Sequence, residues 1–273
     1  MRTESGTPDS GAPGGAAGTG GRRAETGTRD EGGTRTDGGT REGGGTRNED
    51  ALQTDRVLVY RRPAEYVDSD HPSIRAAAEA IAGPATGPAE KARAFYYAVR
   101  DDIRYGFPPG ERGPGAQTTA DYFRDLSTYR ASSVLAAGFG YCVGKSAVYT
   151  ALCRASGLAA RPAFADVRNH LSNRRLRKAM RTDVFAWHGY AEVLLHGRWV
   201  KVTPIFDSAM CRRAGVPPLE FDGESDAMLQ QFDNSGQRFL SYVQTHGTFH
   251  DVPARFLATE MVRLYPDLVT HYP

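Results

Sequence analysis

Residues 138–157 read GFGYCVGKSAVYTALCRASG. The opening nine residues end in Gly-Lys-Ser like a phosphate-binding loop, and they also set a cysteine, Cys142, at the start of a helical pattern. A phosphate loop needs a glycine, four residues, then Gly-Lys-Ser/Thr, so that successive backbone N–H groups wrap the phosphates. Gly144 closes the motif, so position 139 should be glycine. It is Phe139, with Gly138 one residue early and Gly140 one late. The preceding TYRASSVLAA (128–137) is polar at its start, where a phosphate loop follows a buried apolar strand. From Cys142 onward, Val143, Ala147, Thr150, Ala151 and Arg154 recur at helical spacing, and Gly157 stands where a helix stops. The stretch therefore predicts a helix whose first turn carries a thiol.

A thiol becomes a strong nucleophile when its pKa falls, and a helix N-terminus or a nearby imidazolium lowers it. Gly140, Gly144 and Ser146 leave room beside Cys142. Cys153 lies on the same helix, about 16 Å further along, too far to pair with Cys142. Cys153 and Cys211 read as small buried apolar residues. Cys142 alone would read the same way without a base. Among seven histidines, His188 opens a strand of alternating character, in which His188, Tyr190, Glu192 and Leu194 share a face. A cysteine on a helix N-terminus facing a histidine on a strand is a workable thiol–imidazole geometry.

The hairpin register suggests a third group. WHGYAEVLL (187–195) and RWVKVTP (198–204) read as strands joined by His196-Gly197. A turn of this kind pairs Leu195 with Arg198 and Glu192 with Lys201, a favourable cross-strand charge pair. Extended further, the ladder sets His188 opposite Ile205, with Thr203 and Asp207 as its diagonal neighbours. Of these, only Asp207 could steady an imidazolium by charge. A turn one residue longer would flip the parity, and Pro204 limits how far the ladder can run.

Composition divides the chain. Residues 1–50 hold 15 of the 31 glycines, no aromatic residue and no Val, Ile or Leu. Such a segment cannot bury enough apolar surface to offset the entropy of ordering, so a disordered Gly/Thr/Arg-rich tail is expected there. Residues 51–273 suit one domain with a sizeable core. The tail carries −2 against +2 for the chain, which leaves +4 on the body. That charge is too small and scattered to argue for nucleic acid. The N-terminus, MRTESGTPDSG, lacks the apolar core of a secretory signal, and no apolar run is long enough to span a membrane. Three cysteines without paired spacing argue against a disulfide framework and a zinc site, so a reducing cytoplasm is expected.

Elsewhere the pattern predicts helices over 71–83 and 88–105, a Gly/Pro loop over 106–117 and one or two helical turns at 119–126. It adds a strand at 160–167, a basic helical excursion over 169–183 and a helix around FLATEMVRLY (256–265). Helices first, a central helix, then a strand hairpin indicate an α+β domain.

Two stretches, ASSVLAAGFGYCVGKSAVYTALCRASGLAARPAFADV (131–167) and HGYAEVLLHGRWVKVTPIFD (188–207), resemble the transglutaminase-like superfamily. They carry Gly-x-Cys opening a helix, Arg-Ala-x-Gly-Leu-x-Ala-Arg ending it, and a His opening a strand that leads through Glu-Val to Gly-x-Trp-Val. EKARAFYYAVRDDIRY (90–105) is similar to the family's upstream helix. The resemblance covers about 70–207, leaving 208–273 as a C-terminal extension. It implies a papain-like core, the nucleophile helix packed on an antiparallel sheet. It also implies Cys142 as nucleophile and His188 as base, acting on a peptide or protein amide through a thioester that water or an amine resolves. No cofactor or metal is implied. The Cys142 N–H is the natural oxyanion donor, with Tyr129 a weaker suggestion for a second.

The family usually has Asp-Pro after the second strand, and that aspartate completes the triad. This chain has Thr203-Pro204. Thr203 can hydrogen-bond an imidazole but supplies no charge, so Asp207 and Thr203 both stand as candidates for the third place. The competing expectation is a degenerate module that binds peptide or protein without turnover. HGTFHD (246–251) offers His246, His250 and Asp251 as a metal set, although a polar loop or capping role fits that stretch better. The cluster Arg174, Arg175, Arg177, Lys178 and Arg181 reads as a solvated helix face.

Overall fold

The computed structural model describes residues 57–106, 118–170 and 174–266. The expected tail over 1–50 and nearly all of the Gly/Pro loop lie outside them.

Helices α1 (Pro72–Ala82) and α2 (Pro88–Asp102) each begin on a proline, whose fixed φ and missing N–H suit a first turn. They present Ile74, Ala78 and Ala82, and Ala92, Phe95, Tyr96 and Val99, to the core. α2 ends three residues before its expected limit. Ile103 leaves the helix in extended conformation, and Arg104–Tyr105 form the short strand β1. α3 (Thr119–Arg124) follows a capping box between Thr118 and Asp121. Next come α4 (Ala131–Ala137), and β2 (Phe139–Gly140), which pairs in parallel with β1.

α5 (Cys142–Ala155) is the central helix, and every residue from Cys142 to Arg154 is buried. A helix covered on all sides has no polar stripe to show. α5 packs between the other helices and a four-stranded antiparallel sheet ordered β5-β4-β3-β6. The strands are β3 (Ala160–Asn169), β4 (Val184–Leu195), β5 (Arg198–Val202) and β6 (Leu240–Thr248). The basic excursion forms α6 (Arg174–Met180), and α7 (Ser208–Ala214) and α8 (Ala254–Leu264) follow the hairpin. The segment after 207 is built into the fold, since β6 pairs along β3. Among the described residues, no helix is long and apolar enough to cross a membrane.

The β4–β5 turn has the expected register. His196 (φ 49) and Gly197 (φ 78) both take positive φ, as a type I′ turn requires, and Leu195 pairs with Arg198. Glu192 lies opposite Lys201, but its carboxylate does not serve the expected charge pair. Arg161, opposite it on β3, donates from Nε (2.9 Å) and Nη2 (2.7 Å) to Glu192 Oε2. The guanidinium, on a central strand and stacked on Trp199, brings two donors to the carboxylate in a fixed fork, where an ammonium offers a point charge.

Of the register shifts that flank the central strand β3, two lie at one level. On β4, Ala165 pairs with His188 and Val167 with Phe185, so Ala186 and Trp187 together face Asp166. On β6, Phe164 pairs with Gly247 and Ala165 with Thr245, so His246 is an extra residue. Both are β-bulges, which bend a strand and re-aim its side chains.

Candidate active site

Tyr141, in extended conformation, is the N-cap of α5, and Cys142 is its first residue. The sulfur therefore sits at the positive end of a long buried helix. Gly189 brings β4 onto this first turn. A Cβ at Gly189 would stand 2.9 Å from Val143 Cα and 3.2 Å from the Cys142 carbonyl oxygen, so only glycine allows the approach. Gly189 immediately follows His188, which places the strand residue predicted as base beside the helix turn that carries the thiol.

Burial decides the charge state of both. It pushes the Cys142 thiol up to about 11, although the N–H groups of Gly189, Val143 and Cys142 itself act to lower it. Tyr105, Tyr122, Tyr129, Tyr141 and Tyr265 all stand within electrostatic reach of the sulfur. Their rings help to exclude the water that would stabilise a thiolate. His188 is 5% exposed, and burial alone pulls its imidazole down to about 4. Its Nε2 is buried without a hydrogen-bond partner. Among the described residues no hydrogen bond joins Cys142 to His188. At neutral pH the two stand as an uncharged thiol and an uncharged imidazole with a free ring nitrogen.

The expected route to a third residue does not form. The β4–β5 ladder ends at Ala191↔Val202, three residues short of His188. Pro204 cannot donate to a ladder, and Thr203 N–H turns away to the Ala227 carbonyl (2.8 Å). Asp207 sits beyond this break as the N-cap of α7. Its Oδ1 accepts from Met210 N–H (2.7 Å), and its Oδ2 accepts from Tyr105 N–H (3.3 Å). The suggestion of Tyr129 as an oxyanion donor also changes, because its hydroxyl donates to the Phe123 carbonyl (2.9 Å).

The remaining candidates separate. Cys153 and Cys211 are buried, with Cys153 pushed up to about 12 by desolvation. Lys145 of the Gly-Lys-Ser sequence is fully buried, and its Nζ donates to the carbonyls of Arg100 (3.0 Å) and Ile103. It ties the end of α2 to α5 and is not presented to a phosphate. In HGTFHD the three side chains go to different places. His246 Nε2 lies 2.6 Å from Asp166 Oδ1, and His250 Nε2 lies 3.1 Å from the Val59 carbonyl. Asp251 accepts from the N–H groups of Tyr66 and Val67. Among the described residues, no three His, Cys, Asp or Glu side chains are grouped to hold a metal ion.

The sequence reading passed over what surrounds the bulges. Trp187 has φ 56, unusual for a bulky residue. Its N–H donates to Asp166 Oδ1 (3.0 Å), and its ring stacks on His246 at 3.9 Å between centroids, 10° from parallel. The Ala186 N–H donates to the Tyr265 hydroxyl (2.6 Å), which donates on to the Val184 carbonyl (3.1 Å). The one sequence signal was a tryptophan directly before His188. A left-handed residue other than glycine carries no composition signature.

The transglutaminase-like superfamily model matches residues 75–204. No curated protein matches the chain. Solved structures similar to it include two candidate proteases. A candidate cysteine protease of Cytophaga hutchinsonii has 16% identity and a TM-score of 0.41, over 74% of this chain and 50% of that one. A candidate protease of Parabacteroides distasonis has 13% identity and a TM-score of 0.32, over 56% of this chain and 26% of that one. This chain thus spans half the length of the first relative and about a quarter of the second. The matched segment contains α5, β3 and the complete β4–β5 hairpin, and over it the chain is similar to the transglutaminase-like superfamily.

Proposed function

We propose that this chain is a cysteine-dependent acyl transferase or amide hydrolase acting on peptide or protein amides. The observation that carries the reading is the seating of Cys142 on the first turn of α5 against Gly189, the residue after His188. In the proposed reaction the Cys142 sulfur attacks the amide carbon while its proton passes to His188. The tetrahedral oxygen takes a hydrogen bond from the Cys142 N–H. His188 then gives the proton to the leaving amine, and a thioester remains. Water, or a second amine, loses a proton to His188 as it attacks the thioester and frees the thiol. Asp207 enters as a positioning residue, holding Tyr105 through its N–H beside the site.

The test uses the full chain with an amide-directed thiol electrophile. Labelling confined to Cys142, lost in Cys142→Ser and slowed at least about tenfold in His188→Ala, supports the reading. Equal labelling of Cys142 in the wild type and in His188→Ala sinks it.

A second reading, a module that binds peptide without turnover, is favoured by the uncharged ground state, with the thiol near 11 and the imidazole near 4. A peptide library retained by the protein but recovered uncleaved and untransferred would decide for it.

A further inference from the structure

The bulges beside His188 do work that the β5 ladder does not. Among the described residues no carboxylate is hydrogen-bonded to His188 Nε2, so that nitrogen is not held as a triad aspartate would hold an imidazole. We propose that Asp166 is a positioning residue for His188. It acts through the backbone of Trp187 and in concert with His246. The inference rests on the assignment of His188 as base.

Two bulges on opposite neighbours of one strand, at one level, are carried by Trp187 and His246. These extra residues reach across β3 and stack on each other at 3.9 Å. The Asp166 carboxylate on β3 joins them, since Oδ1 accepts from Trp187 N–H at 3.0 Å and lies 2.6 Å from His246 Nε2. One oxygen thus fixes the N–H of the residue directly before His188 and the imidazole stacked on that residue's ring. Phe256 closes the outer side of Trp187, edge-on at 4.8 Å. A left-handed tryptophan persists only where surrounding contacts over-determine it. Here they are the Asp166 bond, the His246 stack and the Tyr265 hydroxyl bonded to Ala186 N–H. Releasing Trp187 would let β4 relax toward regular pairing. Regular pairing would require β4 to slip by one residue against β3 beside the bulge, and a slip of one residue turns side chains to the other face; His188 is the first residue on its C-terminal side. The strain at Trp187 therefore sets which way the imidazole leaves the strand.

The experiment measures Cys142 alkylation by iodoacetamide, followed by mass spectrometry, on the full chain. Ring resonances of His188, assigned by their loss in His188→Ala, are followed in parallel. Asp166→Ala should slow alkylation about tenfold or more and move the His188 resonances, while unfolding stays cooperative. Asp166→Asn keeps an acceptor for the Trp187 N–H and should recover most of the rate, a rescue that general destabilisation would not produce. If Asp166→Ala does not fold, His246→Phe is read in the same way, because it keeps the stack and removes the bond to Asp166. Slow alkylation in His188→Ala with wild-type rates and resonances in the bulge variants overturns the proposal and leaves the base assignment standing. Wild-type alkylation in His188→Ala overturns the base assignment itself. Loss of alkylation in His246→Phe but not in His188→Ala would move the base to the His246–Asp166 pair, which also overturns the proposal.

Discussion

Gly189 on β4 and Val143 on α5 meet backbone to backbone, so closely that a methyl group at Gly189 would stand 2.9 Å from Val143 Cα. Neither backbone can yield locally, because one belongs to a buried helix and the other to an inner strand. Gly189→Ala is therefore expected to push strand from helix, at about 1–3 kcal/mol of stability. Labelling of Cys142 by an amide-directed probe should fall further than the stability loss alone explains. Chemical denaturation beside labelling kinetics checks this. Unchanged labelling in a stable variant would mean that the contact does not set the site.

His188 makes stability depend on acidity. Its folded pKa is near 4, against 6.5 in the unfolded chain. Above about pH 6.5 both states are neutral and the group has no effect. As pH falls toward 4, the unfolded chain takes up the proton first and is favoured, by up to about 3 kcal/mol once both pKa values are passed. His188→Gln lacks this contribution. The urea midpoint of the wild type, measured relative to the variant, should fall between pH 6.5 and 4. A difference that does not change with pH refutes the buried neutral imidazole.

Lys145 behaves likewise at higher pH. Burial lowers its folded pKa to about 7 from 10.5, so between these values the unfolded chain holds the extra proton and stability rises with pH. Lys145→Met leaves the Arg100 and Ile103 carbonyls without their donor, at about 1–3 kcal/mol. The deficit of the variant should be larger at pH 9 than at pH 7. Thermal melts at the two pH values test the trend, and a deficit that widens toward pH 7 contradicts it.

Asp207→Ala should cost about 0.5–2 kcal/mol through loss of the α7 cap, because the carboxylate is bonded to Met210 N–H. Cys142 labelling should change less than about threefold, since among the described residues the Asp207 carboxylate is bonded to Tyr105 and Met210 N–H groups and to no ring nitrogen of His188. A slowing as large as that of His188→Ala would return Asp207 to the role of a carboxylate that orients the imidazole.

The helical spacing after Cys142 was legible because a long helix repeats its pattern, even though α5 proved buried on every side. The His196-Gly197 turn fixed the hairpin register, since few residue pairs suit positive φ in succession. Reading failed where the chain stopped being periodic. Carrying the register past Pro204 placed Asp207 diagonal to His188, but Thr203 turns to Ala227 and the ladder ends. β6 was missed because LSYVQTHGT is polar and half-exposed, with a glycine and a bulge breaking its alternation. Asp166 and His246 lie 80 residues apart, and only the folded sheet brings them to the same tryptophan.

The buried guanidinium of Arg154 sets where this protein can be cut. Its Nε donates to the Ala160 carbonyl beside it, while Nη1 and Nη2 donate to the carbonyls of Arg62 and His250. Those last two partners lie on either side of the segment 75–204 that carries the family match. Excising that segment would strand a desolvated cation inside it. The recognisable portion of the sequence is therefore smaller than the folding unit, and expression boundaries should enclose both Arg62 and His250.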